Sequence, residues 1–69
     1  MPYIKVEITK EGATDAQKAD VIRGITDVVR DVLGKDPATT FVVIDEVALP
    51  NWGIGGVPVA EYRASKRPN

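Results

Sequence analysis

At 69 residues the chain has room for one small domain, and such a domain buries only about 60% of the surface that its unfolded form exposes. The sequence has no cysteine and no histidine, which excludes disulfides, thiolate metal sites and an imidazole base, so association remains the way to complete the core. A formal net charge of −1, spread without runs, argues against nucleic-acid binding, and no apolar stretch approaches the ~20 residues of a membrane span.

The first predicted strand covers about residues 2–9 and alternates apolar and polar side chains, with Pro2, Ile4, Val6 and Ile8 on one face. An initiator methionine is normally removed before a residue as small as proline, which leaves a secondary amine at the start of a buried strand. Burial lowers the pKa of such an amine, and proton abstraction next to a carbonyl requires a base tuned toward neutral pH. Pro2 is therefore the candidate base, although a proline after methionine is also common and tolerated at a strand start.

A helix is predicted over about residues 14–33. Thr14 and Gln17 have the spacing of a capping box, and Gly34 follows the last apolar position as a stop. The apolar residues between them recur at spacings of three and four: Val21, Ile22, Ile25, Val28, Val29, Val32 and Leu33.

The second predicted strand covers about residues 40–47 and is apolar on both faces, which is typical of a parallel strand in a βαβ unit. One helix covers only one face of a two-stranded sheet. The other face, with Tyr3 and half of the run 41–44, is then exposed, and exposed apolar faces usually mark interfaces. The sequence therefore predicts a partner across the sheet.

A hairpin is predicted over about residues 52–60, with Val57 and Val59 around Pro58 as a short edge strand, and residues 61–69 are expected to form a polar tail. The predicted fold class is therefore α/β (α+β). It consists of a single βαβ unit with a C-terminal β-hairpin, in one domain that spans residues 1–69.

Few other residues suggest chemistry. Trp52, before a glycine-rich stretch, is a candidate pocket wall, although on its own a hydrophobic plug on the core is the better interpretation. The glycines do not form a phosphate loop, because no helix and no Lys-Ser/Thr pair follows them. Asp45 and Glu46 are adjacent on a strand and so point to opposite faces, which disfavours a catalytic pair. The cations left as candidates for anion binding are Lys10, Lys35 and Arg63.

Together these features resemble the tautomerase superfamily, specifically the short 4-oxalocrotonate tautomerase subunits, over nearly the whole chain. The resemblance is carried by Met1-Pro2, Thr14-Asp15-Ala16-Gln17-Lys18, Val43-Ile44-Asp45-Glu46-Val47 and Asn51-Trp52-Gly53-Ile54-Gly55-Gly56. It implies the tautomerase fold, which macrophage migration inhibitory factor also has. It further implies a homo-oligomer, typically a hexamer built as a trimer of dimers.

The resemblance implies an isomerase that acts on a small unsaturated oxo acid, with no cofactor and no metal. The family's base, an amino-terminal proline, falls on Pro2, and its aromatic pocket wall falls on Trp52. Ile8 is expected as a further substrate contact. No basic and apolar leader precedes the first strand, so the expected location is the cytoplasm.

Two arginines that members of the family use are absent here, because the matching positions are Ala13 and either Phe41 or Val42. In the family these arginines hold a dicarboxylate substrate and stabilise the negative charge that develops on its carbonyl oxygen. Losing donors of this kind commonly lowers a rate by ~10²–10³. Two hypotheses follow: an isomerase in which another group replaces them, and a catalytically silent structural subunit of a tautomerase-fold oligomer.

Overall fold

The computed structural model describes residues 1–66. Its helices and strands are, in chain order, β1 (Tyr3–Thr9), α1 (Asp15–Leu33), β2 (Phe41–Val47), β3 (Gly53–Ile54), β4 (Val57–Pro58) and α2 (Val59–Lys66). Two 3₁₀ turns, Pro37–Thr39 and Leu49–Asn51, flank β2. Neither helix in this part of the chain is long and apolar enough to cross a lipid bilayer.

The ends of α1 are fixed by the caps that the sequence predicts. The Thr14 hydroxyl accepts a hydrogen bond from the Gln17 N–H at 3.1 Å, and the Gln17 side chain accepts one from the Thr14 N–H at 2.9 Å. Gly34 ends the helix at φ 67°, a left-handed conformation that favours a residue without Cβ. Its N–H donates to the Arg30 carbonyl at 2.9 Å.

β1 and β2 pair in parallel, with Tyr3 opposite Phe41 at one end and Thr9 opposite Val47 at the other. The face toward α1 holds the half-buried residues of both strands, and Lys18 of α1 binds Glu46 of β2 there at 2.7 Å. The opposite side, here called the open sheet face, consists of Tyr3, Lys5, Glu7, Phe41, Val43 and Asp45. Its apolar members are 63% (Tyr3), 50% (Phe41) and 41% (Val43) exposed, so this chain leaves uncovered the face for which the sequence predicts a partner.

Residues 49–66 form a unit that we call the C-terminal arm. β3 and β4 pair antiparallel with Gly53 opposite Pro58, so the hairpin is shorter than the predicted 52–60. The predicted polar tail is wrong for residues 61–66, which belong to α2; residues 67–69 of that prediction lie outside the described residues. α2 forms in place of a tail because its first residue is held against the hairpin. Val59 is only 7% exposed, and its N–H donates to the Trp52 carbonyl at 2.8 Å.

A single chain is extended. Its radius of gyration is 15.9 Å, whereas a compact domain of this length has about 11 Å. It exposes 5208 Å², whereas a compact monomer of the same mass exposes about 4,200 Å². About 1,000 Å² of surface is therefore available for contacts beyond this chain.

Candidate active site

Pro2 lies immediately before β1 and is half-buried. Its carbonyl accepts a hydrogen bond from the Phe41 N–H at 2.9 Å, which anchors the residue to the first position of β2. While Met1 is attached, the Pro2 nitrogen belongs to a peptide bond and is not basic. Removal of Met1 converts it into a secondary amine that can accept a proton, on a backbone that the sheet already holds in place.

Trp52 lies between the second 3₁₀ turn and β3 and is half-buried. Its N–H donates to the Leu49 carbonyl at 3.1 Å, and its carbonyl accepts from the Val59 N–H at 2.8 Å. The tight hairpin that follows turns through Gly55 and Gly56, both at positive φ (61° and 85°). These local hydrogen bonds fix the Trp52 backbone within the C-terminal arm, so the indole is presented from a defined position.

The predicted site residues do not meet within one chain. β1 is seven residues long, so at ~3.3 Å per residue its ends are about 20 Å apart. Pro2 lies at its beginning, whereas Ile8 lies at its end, the end to which the C-terminal arm is attached. Residues 1–66 of a single chain enclose no pocket. Pro2 and the C-terminal arm that carries Trp52 therefore lie toward opposite ends of the two-stranded sheet.

A charged cluster joins the C-terminal arm to the turn after β1. Arg63 of α2 donates through both terminal nitrogens to the two carboxylate oxygens of Glu11, with Nη2 at 3.2 Å from Oε2, and the Thr9 hydroxyl donates to the same carboxylate. The hydrogen bond from Arg63, with that from Thr9, lowers the pKa of Glu11 to about 2. Within residues 1–66, this cluster connects the turn after β1 to α2 through side-chain hydrogen bonds.

Sequence reasoning named Arg63 only as one of three possible cations and missed its partner. Glu11 and Arg63 are 52 positions apart, so no local spacing connects them. The available signal was the interval of four between Val59 and Arg63, which places both on one face of a helix once α2 is recognised. Ala13, where the resemblance would place an arginine, lies two residues from Glu11 and carries no charge. Besides Lys10, which belongs to this turn, the cation that a described side-chain contact brings to it is the Arg63 guanidinium.

Asp45 and Glu46 point to opposite faces of the sheet, as predicted for adjacent strand residues. Asp45 lies on the open sheet face, where Lys5 is 3.7 Å away, and Glu46 lies on the other side against Lys18. The hydrogen bond that the Lys18 ammonium donates to Glu46 raises the pKa of Lys18. Each carboxylate therefore has its own cation, and the two do not form a catalytic pair.

Comparison with known proteins gives consistent matches. The family model described as Tautomerase enzyme matches residues 2–62. A probable tautomerase of Dickeya dadantii is 54% identical over 63 residues, which cover 91% of this chain and 94% of the relative. The 2-hydroxymuconate tautomerase of Pseudomonas putida is 38% identical over 61 residues, covering 88% of this chain and 95% of that protein.

A solved structure agrees with these sequence matches. The crystal structure of DmpI from Helicobacter pylori superposes with a TM-score of 0.85 at 38% identity, covering 91% of this chain and 97% of that chain. The chain therefore belongs to the tautomerase family. Its small mixed fold is the one that the sequence predicts. The chain is also similar to TomN, a 4-oxalocrotonate tautomerase homologue of the tomaymycin biosynthetic pathway, with a TM-score of 0.85 at 30% identity over 96% of this chain and 100% of that chain.

Proposed function

We propose that this chain is an isomerase that moves a proton within an unsaturated 2-oxo acid or its enol, with Pro2 as general base after Met1 is removed. The amine takes a proton from the enol or from the carbon next to the carbonyl and returns it to a carbon further along the conjugated system. Nothing is oxidised or reduced, so the reaction needs no cofactor. The observation that carries the proposal is Pro2 anchored to β2 through Phe41, in a chain of the tautomerase family.

The substrate class follows from the chemistry of the relatives and of the arm. A relative at 38% identity is named 2-hydroxymuconate tautomerase, and hydroxymuconate is a conjugated hydroxy diacid. Trp52 supplies a flat apolar surface for such a conjugated chain, and Ile8 adds an aliphatic contact. We propose Pro2 as the catalytic residue and Trp52 and Ile8 as substrate-binding residues.

We further propose that the working form is a homo-oligomer, a hexamer built as a trimer of dimers. The extended single chain and the uncovered aromatic residues of the open sheet face support association. The separation of Pro2 from Trp52 along the sheet supports it independently, because a second copy supplies the missing end of the site. A cytoplasmic location belongs to the same proposal.

A catalytically silent subunit is the second candidate, and one observation favours it. The positions where the resemblance would place arginines hold Ala13 in the turn after β1 and Phe41 or Val42 at the start of β2, none of which binds a carboxylate. Under this alternative the chain keeps the fold and the interfaces without turnover.

An assay with phenylenolpyruvate, a simple enol acid, distinguishes the two candidates. We expect the wild type to accelerate its conversion to the ketone, and Pro2→Ala to be slower because a primary amine replaces the ring nitrogen. A chain with two residues added before Pro2 keeps the nitrogen in an amide and should be inactive. Pro37→Ala, an exposed proline in the loop before β2, is the control and should match the wild type. Equal rates for all four proteins would mean that Pro2 is not the base.

A further inference from the structure

We propose that Arg63 binds the carboxylate of the substrate and that Glu11 occupies its guanidinium until the substrate displaces it. This inference rests on the proposed function and deepens it by naming the group that selects for an acid.

Arg63 and Trp52 both belong to the C-terminal arm, in which a backbone hydrogen bond joins α2 to Trp52. The first residue of α2, Val59, donates its N–H to the Trp52 carbonyl at 2.8 Å and is the most buried side chain described. Arg63 follows four residues later, one turn along the same face of α2, about 6 Å further along the helix axis. The aromatic wall and the cation are therefore carried together by the C-terminal arm.

The guanidinium is already in the geometry that binds a carboxylate. Its two terminal nitrogens donate to the two carboxylate oxygens of Glu11. This bidentate arrangement uses two of its five N–H donors. The carboxylate of a 2-oxo acid has the same shape and charge as that of Glu11. With the Arg63 side chain 45% exposed, an incoming acid can reach it and exchange with Glu11.

The other cations among residues 1–66 are less suited to this role. Four of them lie on α1 or on the sheet and not on the C-terminal arm that carries Trp52: Lys5, Lys18, Arg23 and Arg30. Within residues 1–66, neither Lys10 nor Lys35 has a side-chain partner that fixes it. Lys66 lies 5.6 Å from the centre of the Tyr62 ring and offers a point charge without a planar fork.

The test compares phenylenolpyruvate with its methyl ester, which has the same skeleton without the charge. Arg63→Met should raise KM for the acid about 10-fold to 100-fold, the worth of a charge-assisted hydrogen-bonded pair, and leave KM for the ester unchanged. Arg63→Lys should fall between these values, because it keeps the charge and loses the fork. Glu11→Gln should lower KM for the acid about 2-fold to 5-fold, because it removes the competing carboxylate.

The sign of the Glu11 effect separates binding from a structural role. If the ion pair only holds the arm, Glu11→Gln and Arg63→Met should both raise KM, and for acid and ester alike; that result overturns the inference. The inference is also overturned if Arg63→Met leaves the ratio of KM for the acid to KM for the ester unchanged. If turnover then still depends on Pro2, the proposed function remains intact.

If the wild type converts neither substrate, the proposed function fails, and Arg63 is then judged by binding alone. Calorimetric titration with 3-phenylpropanoate and with its uncharged amide provides that measurement. Tighter binding of the acid that disappears in Arg63→Met supports the inference, and equal binding of acid and amide overturns it.

Discussion

Thr14 shows how far a single side chain defines the structure before any packing is considered. Its hydroxyl and the Gln17 side chain satisfy each other's backbone N–H groups, and this reciprocal pair sets the first residue of α1. The spacing of the two residues was sufficient to predict it. Pro2 and Trp52 were likewise proposed as site residues from their immediate neighbours, Met1 before Pro2 and the glycine-rich stretch after Trp52.

Replacing Thr14 by alanine removes the acceptor for the Gln17 N–H. We expect the free energy of unfolding to fall by about 1 kcal/mol, the usual worth of such a cap. Urea unfolding followed by helical circular dichroism measures it, at equal protein concentration because association contributes to stability. Thr14→Ser keeps the hydroxyl and is the control. A Thr14→Ala protein as stable as Thr14→Ser would mean that the cap contributes nothing.

Glu11 offers a second test at this scale, because its pKa is displaced by specific partners. Its folded-state value of about 2 lies below the ordinary 4.5, so the Arg63 contact stabilises the fold above pH 4.5 and is lost as the pH falls toward 2. We expect the ¹³C signal of the Glu11 carboxyl to titrate near 2 in the wild type and near its ordinary value in Arg63→Met. A midpoint near 4.5 in both proteins would show that the pair does not form.

Of the helices and strands, α2 is the one that the sequence did not predict. α1 and β2 can be predicted from the sequence, because the helical periodicity of one and the apolar run of the other extend over many residues. α2 is only eight residues long, and isolated helices below about 12 residues are marginal in water. Its stability comes from the burial of Val59 and the hydrogen bond to Trp52, and neither contact is visible in a local pattern.

The site escapes sequence reasoning for a related reason. Glu11 and Arg63 meet only because the C-terminal arm returns to the turn after β1, which is a tertiary event across 52 positions. Sequence reasoning proposed Pro2, Trp52 and Ile8 as site residues without placing Pro2 at one end of the sheet and the other two toward the opposite end. The register of β1 against β2, which places Thr9 beside Val47, was needed to show that Pro2 lies at the opposite end of the sheet from the C-terminal arm.

A single chain leaves the open sheet face uncovered, and the proposed assembly can be tested there. Phe41→Lys places a charge among the aromatic and aliphatic side chains of that face. We expect dissociation constants for assembly to rise about 100-fold or more, because an unpaired charge in an apolar contact costs about 3 kcal/mol. Sedimentation velocity at micromolar concentration reports the change.

Ala38→Lys is the matched control, since it adds the same side chain at an exposed position three residues away and outside the open sheet face. It should sediment like the wild type. A wild-type protein that sediments as a folded monomer would contradict both the assembly and the two-chain site. Equal sedimentation of Phe41→Lys and the wild-type oligomer would place the interface on another surface.

The proposed mechanism requires the Pro2 nitrogen to be a free amine that acts as the base. Proline labelled with ¹⁵N gives a Pro2 signal distinct from the four other prolines, whose nitrogens are amides. We expect that signal to titrate, and kcat/KM for phenylenolpyruvate to rise with pH through the same midpoint, since this ratio reports ionisations of the free enzyme. An active protein whose Pro2 nitrogen does not titrate, or titrates at a pH unrelated to the rate, would contradict the account.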